Sequence, residues 1–220
     1  MNNWVWPIVV YLGQGLLITL WISLLTVVLA TMLGLVIAAL SQSTLTSARL
    51  IGRIYVDVFR GVPSLMILLF VFFALPQIGL RTGPLTAAVI GLGLWGGANI
   101  GEVFRGALNS IPHRQEQGAR ALGLSATEAL VFVILPQAFR RALPPYVGQL
   151  TVLVQASALT SVVGVSDLLG SARQMIERLA YVGSGQSHAI EIYLGVLGVF
   201  FVICYALTAL ANAIERRLRY

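Results

Sequence analysis

Trp95, Asn99 and Glu102 recur four and then three residues apart, which puts an indole, an amide and a carboxylate on one face of a helix. Further along, Gln149, Gln155, Ser157, Thr160 and Ser161 set amides and hydroxyls into an otherwise apolar stretch. Such groups can hydrogen-bond a polar solute inside a membrane, and they can equally tie helices to one another. Bond-making chemistry is not indicated. His113 and His188 have no second histidine or cysteine at ligand spacing. The single cysteine, Cys204, sits in an apolar run and offers neither a disulfide framework nor a thiolate site. No G-x-x-x-x-G-K-[ST] loop occurs, and the chain has no lysine with which to build one. These residues suit recognition and passage rather than catalysis.

The elements that would position them are membrane spans. Of 220 residues, 58% are hydrophobic and 10% charged, whereas a soluble domain carries about 25% charged residues. Residues 1–48 contain no charged side chain. The start Met1-Asn2-Asn3-Trp4 lacks the basic stretch of a cleavable signal peptide, so the first span is expected to stay with the chain. A spanning helix needs about 20 apolar residues, and five segments qualify: 8–40, 62–80, 85–104, 143–165 and 190–214.

Arginine content orients these spans. Arg49, Arg53 and Arg60 precede the second, Arg105 to Arg141 hold five arginines between the third and fourth, and Arg216, Arg217 and Arg219 follow the fifth. The opposite loops hold only Arg81, Arg173 and Arg178. The positive-inside bias then places the N-terminus outside and the C-terminus in the cytoplasm. A net charge of +6 raises nucleic acid as a partner, but the arginines are scattered between apolar spans, so topology explains them. In the fourth region Pro136, Pro144 and Pro145 predict interrupted helix around a translocation path, or else ordinary kinks. Gly93, Gly97 and Gly101 predict close helix packing, within one subunit or between two.

Between the third and fourth spans lies one polar stretch, about 112–127, that lipid cannot hold. Pro112 suits a helix start, and Glu116 lies where the helix dipole favours a carboxylate. Ala119, Leu122 and Leu124 supply a narrow apolar face, while Gly123 either ends the helix or allows close approach. A short helix of this kind in water needs a partner groove.

The stretch Gln117-Gly118-Ala119-Arg120-Ala121-Leu122-Gly123 followed by Val133-Ile134-Leu135-Pro136 resembles the E-A-A-x-x-x-G-x(9)-I-x-L-P signature of ATP-binding-cassette importer permeases. Phe59-Arg60-Gly61-Val62-Pro63, Glu102-Val103-Phe104-Arg105-Gly106 and the run from Leu135 to Pro145 resemble the polar amino acid uptake subfamily in particular. Gln117 replaces the signature glutamate and Gly118 its first alanine, so the resemblance supports docking by shape more than by a salt bridge. Relatives often show a Lys-Asp-Thr-Ser-Leu-like run where this chain has Gln155-Ala156-Ser157-Ala158-Leu159, which weakens a cationic substrate.

The resemblance implies an all-α, five-span, type I importer permease with a cytoplasmic coupling helix, in the bacterial inner membrane. The docking residues would be Glu116, Gln117, Gly118, Ala119, Arg120, Leu122, Gly123 and Leu124. Trp95, Asn99, Glu102, Gln155, Ser157, Thr160 and Ser161 would line the path, with Glu102 either touching substrate or pairing with Arg105. Implied partners are ATPase subunits carrying ATP and Mg²⁺, an extracytoplasmic amino-acid-binding protein, a second permease subunit of the same or a similar chain, and lipid. The binding protein would dock near Asp167 and Arg173 at the outer surface. A partner-independent secondary transporter or channel would call for an internal repeat, and none stands out. A structural scaffold would leave the polar segment unexplained.

Overall fold

Proline and glycine set the helix limits. In the computed structural model, which describes residues 5–80, 82–182 and 188–218, every regular element is helical. Arg81 and Arg219, two of the orienting arginines, lie outside the described residues. The long helices are α1 (Val5–Ser41), α4 (Pro84–Asn109), α7 (Leu135–Ser157) and α9 (Ala189–Leu218). Between them lie α2 (Thr46–Gly61), α3 (Ser64–Gln77), α5 (His113–Ala121), the single turn α6 (Ala126–Glu128) and α8 (Leu168–Val182).

Four stretches are long and apolar enough to cross a membrane: Trp6–Ser41, Pro84–Asn109, Ala126–Val163 and Ala189–Leu218. The second expected span, 62–80, is only the 14-residue α3, about 21 Å long and short of a bilayer core of about 30 Å. The missing length is α2, set at 103° to it. Pro63 forces the break: it has no N–H to donate, and Val62 before it is extended at φ −109 and ψ 136. α2 runs alongside α4, since the Tyr55 hydroxyl donates to the Leu94 carbonyl at 2.7 Å. Phe59 packs against the cluster of Ile67, Val71 and Ala87, which Trp95 also covers. Together α2 and α3 form one broken span, the fifth crossing.

α1 and α4 pack most closely, and the glycines of α4 are the reason. A Cβ on Gly97 would lie 2.8 Å from the Leu33 Cβ, and one on Gly93 would lie 2.5 Å from Leu29 Cδ2. The small-residue stripe therefore serves contact within the subunit. α7 closes the other side, with Leu153 wholly buried against Ala30 and Ile100. α9 exposes Leu194, Leu197, Phe201 and Val202 by more than half, as a lipid-facing helix does.

The fourth region differs from the expected interruption at its prolines. α7 runs unbroken through Pro144 and Pro145, and the irregular turns lie at its two ends. Ala129–Ile134 is a π-helix and Ala158–Val163 a 3₁₀-helix. A π register pairs a carbonyl with the N–H five residues on, so it can step over the missing donor of Pro136. Gly164, at φ 87, ends the 3₁₀ turn.

Asp167 corrects a second expectation. It is fully buried rather than at the surface, while Arg173 is exposed. Asp167 precedes α8, and its Oδ1 accepts from the Gly170 N–H at 2.8 Å, as a helix cap does. The Thr19 hydroxyl of α1 accepts from the Leu168 N–H at 2.9 Å, which draws the capped end against α1. Burial pushes the Asp167 carboxyl up to about 6.

Candidate functional site

The polar segment folds as two short helices, α5 and α6, joined at a sharp corner. α5 follows Pro112, an extended residue at ψ 136, and Glu116 lies in its first turn. At its far end the Gly123 N–H donates to the Arg120 carbonyl at 3.0 Å and the Leu124 N–H to the Ala119 carbonyl at 3.2 Å. This pair of bonds is a Schellman stop, and it needs the left-handed residue that Gly123 supplies at φ 91. A Cβ at Gly123 would meet open space, so backbone conformation rather than close approach requires the glycine. The next helical turn starts at once: the Ser125 hydroxyl accepts from the Glu128 N–H, and Glu128 accepts from the Ser125 N–H at 2.8 Å.

The expected apolar face of α5 divides in two. Ala119 is 5% exposed and Leu124 half-buried, both turned toward their own chain, whereas Leu122 is 85% exposed. The free face therefore combines Gln117, Gly118 and Arg120 with Leu122, while Glu116 is half-buried within 4.0 Å of His113. Gly118 has open space beyond its Cα. This surface is polar, with one exposed leucine in it.

Two contacts fix where α5 sits. Arg141 of α7 donates Nη1–H to the Ser110 carbonyl at 2.6 Å, and Gln42, just after α1, donates to Asn109 at 3.1 Å. Ile111 is buried beside this junction. Displacement of α5 therefore reaches α4 and α7 through short, directional links.

The residues expected to line a path do not converge on one cavity. Trp95 is half-buried in the α1–α4–α7 core, and its carbonyl accepts from the Asn99 side-chain amide at 2.9 Å. Ser157, Thr160 and Ser161 are buried, and their hydroxyls donate to carbonyls three residues back, at 2.7, 2.7 and 2.9 Å. Gln155 is exposed in a different place, a groove of about 780 Å³ between α7 and α9 that Thr208 and Asn212 also line.

Glu102 faces the broken span. The Arg105 guanidinium engages both carboxylate oxygens, with Nε at 2.9 Å from Oε2. Arg60 of α2 approaches Oε1 at 3.8 Å. These residues lie in a groove of about 610 Å³ between α2 and α4 that Arg49, Arg53 and Asp57 also line. The Arg60–Glu102 meeting escapes sequence reading because the residues are distant in the chain and hydropathy does not mark α2 as part of a span. Phe59-Arg60-Gly61-Val62-Pro63, with an arginine just before a proline break, is the signal that could have found it.

Comparison with known proteins gives concordant matches. The family described as binding-protein-dependent transport system inner membrane component matches residues 30–220. The chain is 33% identical over 217 residues to the glutamine transport system permease protein GlnP of Escherichia coli (strain K12), covering 98% of this chain and 96% of that one. It is 31% identical over 214 residues to the arginine transport system permease protein ArtQ of Bacillus subtilis (strain 168), covering 97% and 94%. The crystal structure of an amino acid ABC transporter with histidines superposes with a TM-score of 0.85 at 30% identity, covering 94% of both chains.

Proposed function

This chain belongs to the binding-protein-dependent transport system inner membrane component family, and from that premise we propose that it forms the translocation path of an ATP-driven importer for polar amino acids. A member of this family is a multi-pass membrane component, and ATP hydrolysis belongs to another subunit. The observation that carries the reading is the exposed face of α5, started at Pro112, stopped at Gly123 and held to the spans through the Arg141–Ser110 bond. Gln117, Gly118, Arg120 and Leu122 enter a groove on a cytoplasmic ATPase, with Leu122 as its apolar anchor. Glu116, Ala119, Gly123 and Leu124 hold the shape of that surface from behind.

ATP and Mg²⁺ act on the ATPase subunits, whose closure displaces α5 and, through Ser110 and Arg141, the α4–α7 pair. A second permease subunit completes the path, and an extracytoplasmic binding protein delivers the amino acid at the opposite face. The N-terminus lies outside and the C-terminus in the cytoplasm, so that α5 meets the ATPase. Glu102 lines the path from the α2–α4 groove and Gln155 from the α7–α9 groove, with Trp95 and Asn99 behind them on α4. Ser157, Thr160 and Ser161 shape the packing behind them. The names of the relatives support an amino acid substrate, though they differ between glutamine and arginine.

The test is co-expression of the tagged chain with candidate ATPase and binding-protein subunits, then uptake into proteoliposomes. ATP-dependent, binding-protein-dependent amino acid uptake is expected. Uptake by the chain alone, without ATP, would instead identify a secondary transporter.

A further inference from the structure

The groove between α2 and α4 carries charge that docking does not use. α2 presents three stripes. Gly52, Tyr55 and Phe59 turn toward α1 and α4, and Ile51, Ile54 and Val58 are each more than half exposed. The third stripe is Arg49, Arg53, Asp57 and Arg60. An exposed apolar stripe on a broken span suits lipid, but a charged stripe cannot face hydrocarbon and belongs in a water-filled space. Glu102 and Arg105 complete the groove, giving four guanidiniums against two carboxylates.

The surplus is localised. Arg53 meets Asp57 at 3.7 Å. Arg49 hydrogen-bonds Ser43 and Thr46 and meets no carboxylate among the described residues. Arg105 holds both oxygens of Glu102, which leaves Arg60 only a 3.8 Å approach to one of them. The Arg60 side chain is 46% exposed toward the groove, with donors to spare.

The geometry points to Arg60 as the residue that receives the carboxylate of the transported amino acid, with Glu102 as a resident competitor for the same guanidinium. This rests on the importer reading above. A guanidinium accepts a carboxylate through two parallel N–H···O bonds, the planar fork that fits this group best. Glu102 draws on those donors and yields Arg60 when a solute carboxylate arrives. The excess positive charge favours anionic or neutral amino acids over cationic ones.

The permease–ATPase complex in lipid nanodiscs, without binding protein, tests this by calorimetric titration with glutamate, glutamine and arginine. Glutamate and glutamine should bind, with arginine weaker by roughly tenfold or more. Arg60→Gln should weaken glutamate and glutamine by about tenfold, and Arg60→Lys should restore part of the loss. Glu102→Gln should tighten glutamate, because it frees both guanidiniums. Tightest binding of arginine, unchanged binding in Arg60→Gln, or weaker binding in Glu102→Gln overturns the assignment, the last by making Glu102 itself the ligand. An assembled complex that binds none of the three also overturns it while leaving the permease role intact. Failure to assemble with any ATPase instead removes the importer reading. Thermal unfolding of each variant separates lost binding from lost folding.

Discussion

Arg141 and Ser110 lie 31 residues apart in the chain and are joined by a guanidinium-to-carbonyl bond of 2.6 Å, with a second bond of 3.1 Å to the Ser110 hydroxyl. The bond closes a loop whose two ends are α4 and α7 and whose tip is α5. Removing it should loosen the tip without unfolding the spans. Arg141→Ala is expected to cost about 1–3 kcal/mol locally and to raise amide exchange across 111–124. Assembly with the ATPase should survive while uptake per ATP hydrolysed falls. Unchanged exchange in that segment would show that the bond does not hold it.

Gly123 is required by its left-handed backbone, so substitutions should rank by conformational preference rather than by size. A β-branched residue such as valine should be worst, alanine intermediate at about 1–2 kcal/mol, and asparagine mildest. The measurement is coupled uptake normalised to membrane-inserted protein. A ranking by side-chain volume would indicate that the ATPase packs against this position instead.

Leu122 should behave as a docking anchor. Leu122→Asp is expected to abolish co-purification of the ATPase while leaving the melting temperature of the isolated chain unchanged, because the side chain is 85% exposed. A fall in that melting temperature would mean that Leu122 packs within its own subunit.

Asp167 gives a pH dependence with a defined sign. Its carboxyl lies at about 6 in the folded chain against an ordinary value of 3.8, so the folded state holds the proton more tightly than the unfolded one. Its stability contribution is greatest below about 4, declines as pH rises from about 4 to about 6, and is level above that. Asp167→Asn keeps an oxygen for the Gly170 N–H and does not ionise. The melting temperature of the variant relative to wild type should rise across that interval. A constant difference would place the titration elsewhere.

Gly97 tests the α1–α4 contact. A Cβ there would lie 2.8 Å from Leu33 Cβ and 3.0 Å from the Tyr55 hydroxyl. Gly97→Ala should therefore destabilise by about 1–3 kcal/mol, and Gly97→Leu by more. Gly106→Ala, with open space at its Cα, is the control and should change little.

Composition and arginine placement determined the membrane class and the number of crossings, because desolvation of charge is expensive enough to be visible residue by residue. The docking segment was legible for the same reason: 112–127 is a polar stretch between the third and fourth spans, and its proline and glycine mark helix ends by local backbone rules. The second crossing was legible only in part. Hydropathy sees apolar α3 but not amphipathic α2, whose inward and lipid-facing stripes are diluted by the arginines between them.

Asp167 was misplaced because a carboxylate in the segment between two spans reads as surface. Its burial depends on Thr19, far away in the chain, meeting the same helix end. The path residues divided for a related reason. Helical spacing puts Ser157, Thr160 and Ser161 near one another, but whether a hydroxyl faces a cavity or its own backbone is decided by the neighbouring helix. The sequence by itself determined the features governed by local backbone rules and transfer free energy: spans, caps and the exposed corner. Only the tertiary structure decided which charges meet, and Arg60 with Glu102 is the case in point, because a pairing across 42 positions depends on a kink angle that no local pattern encodes.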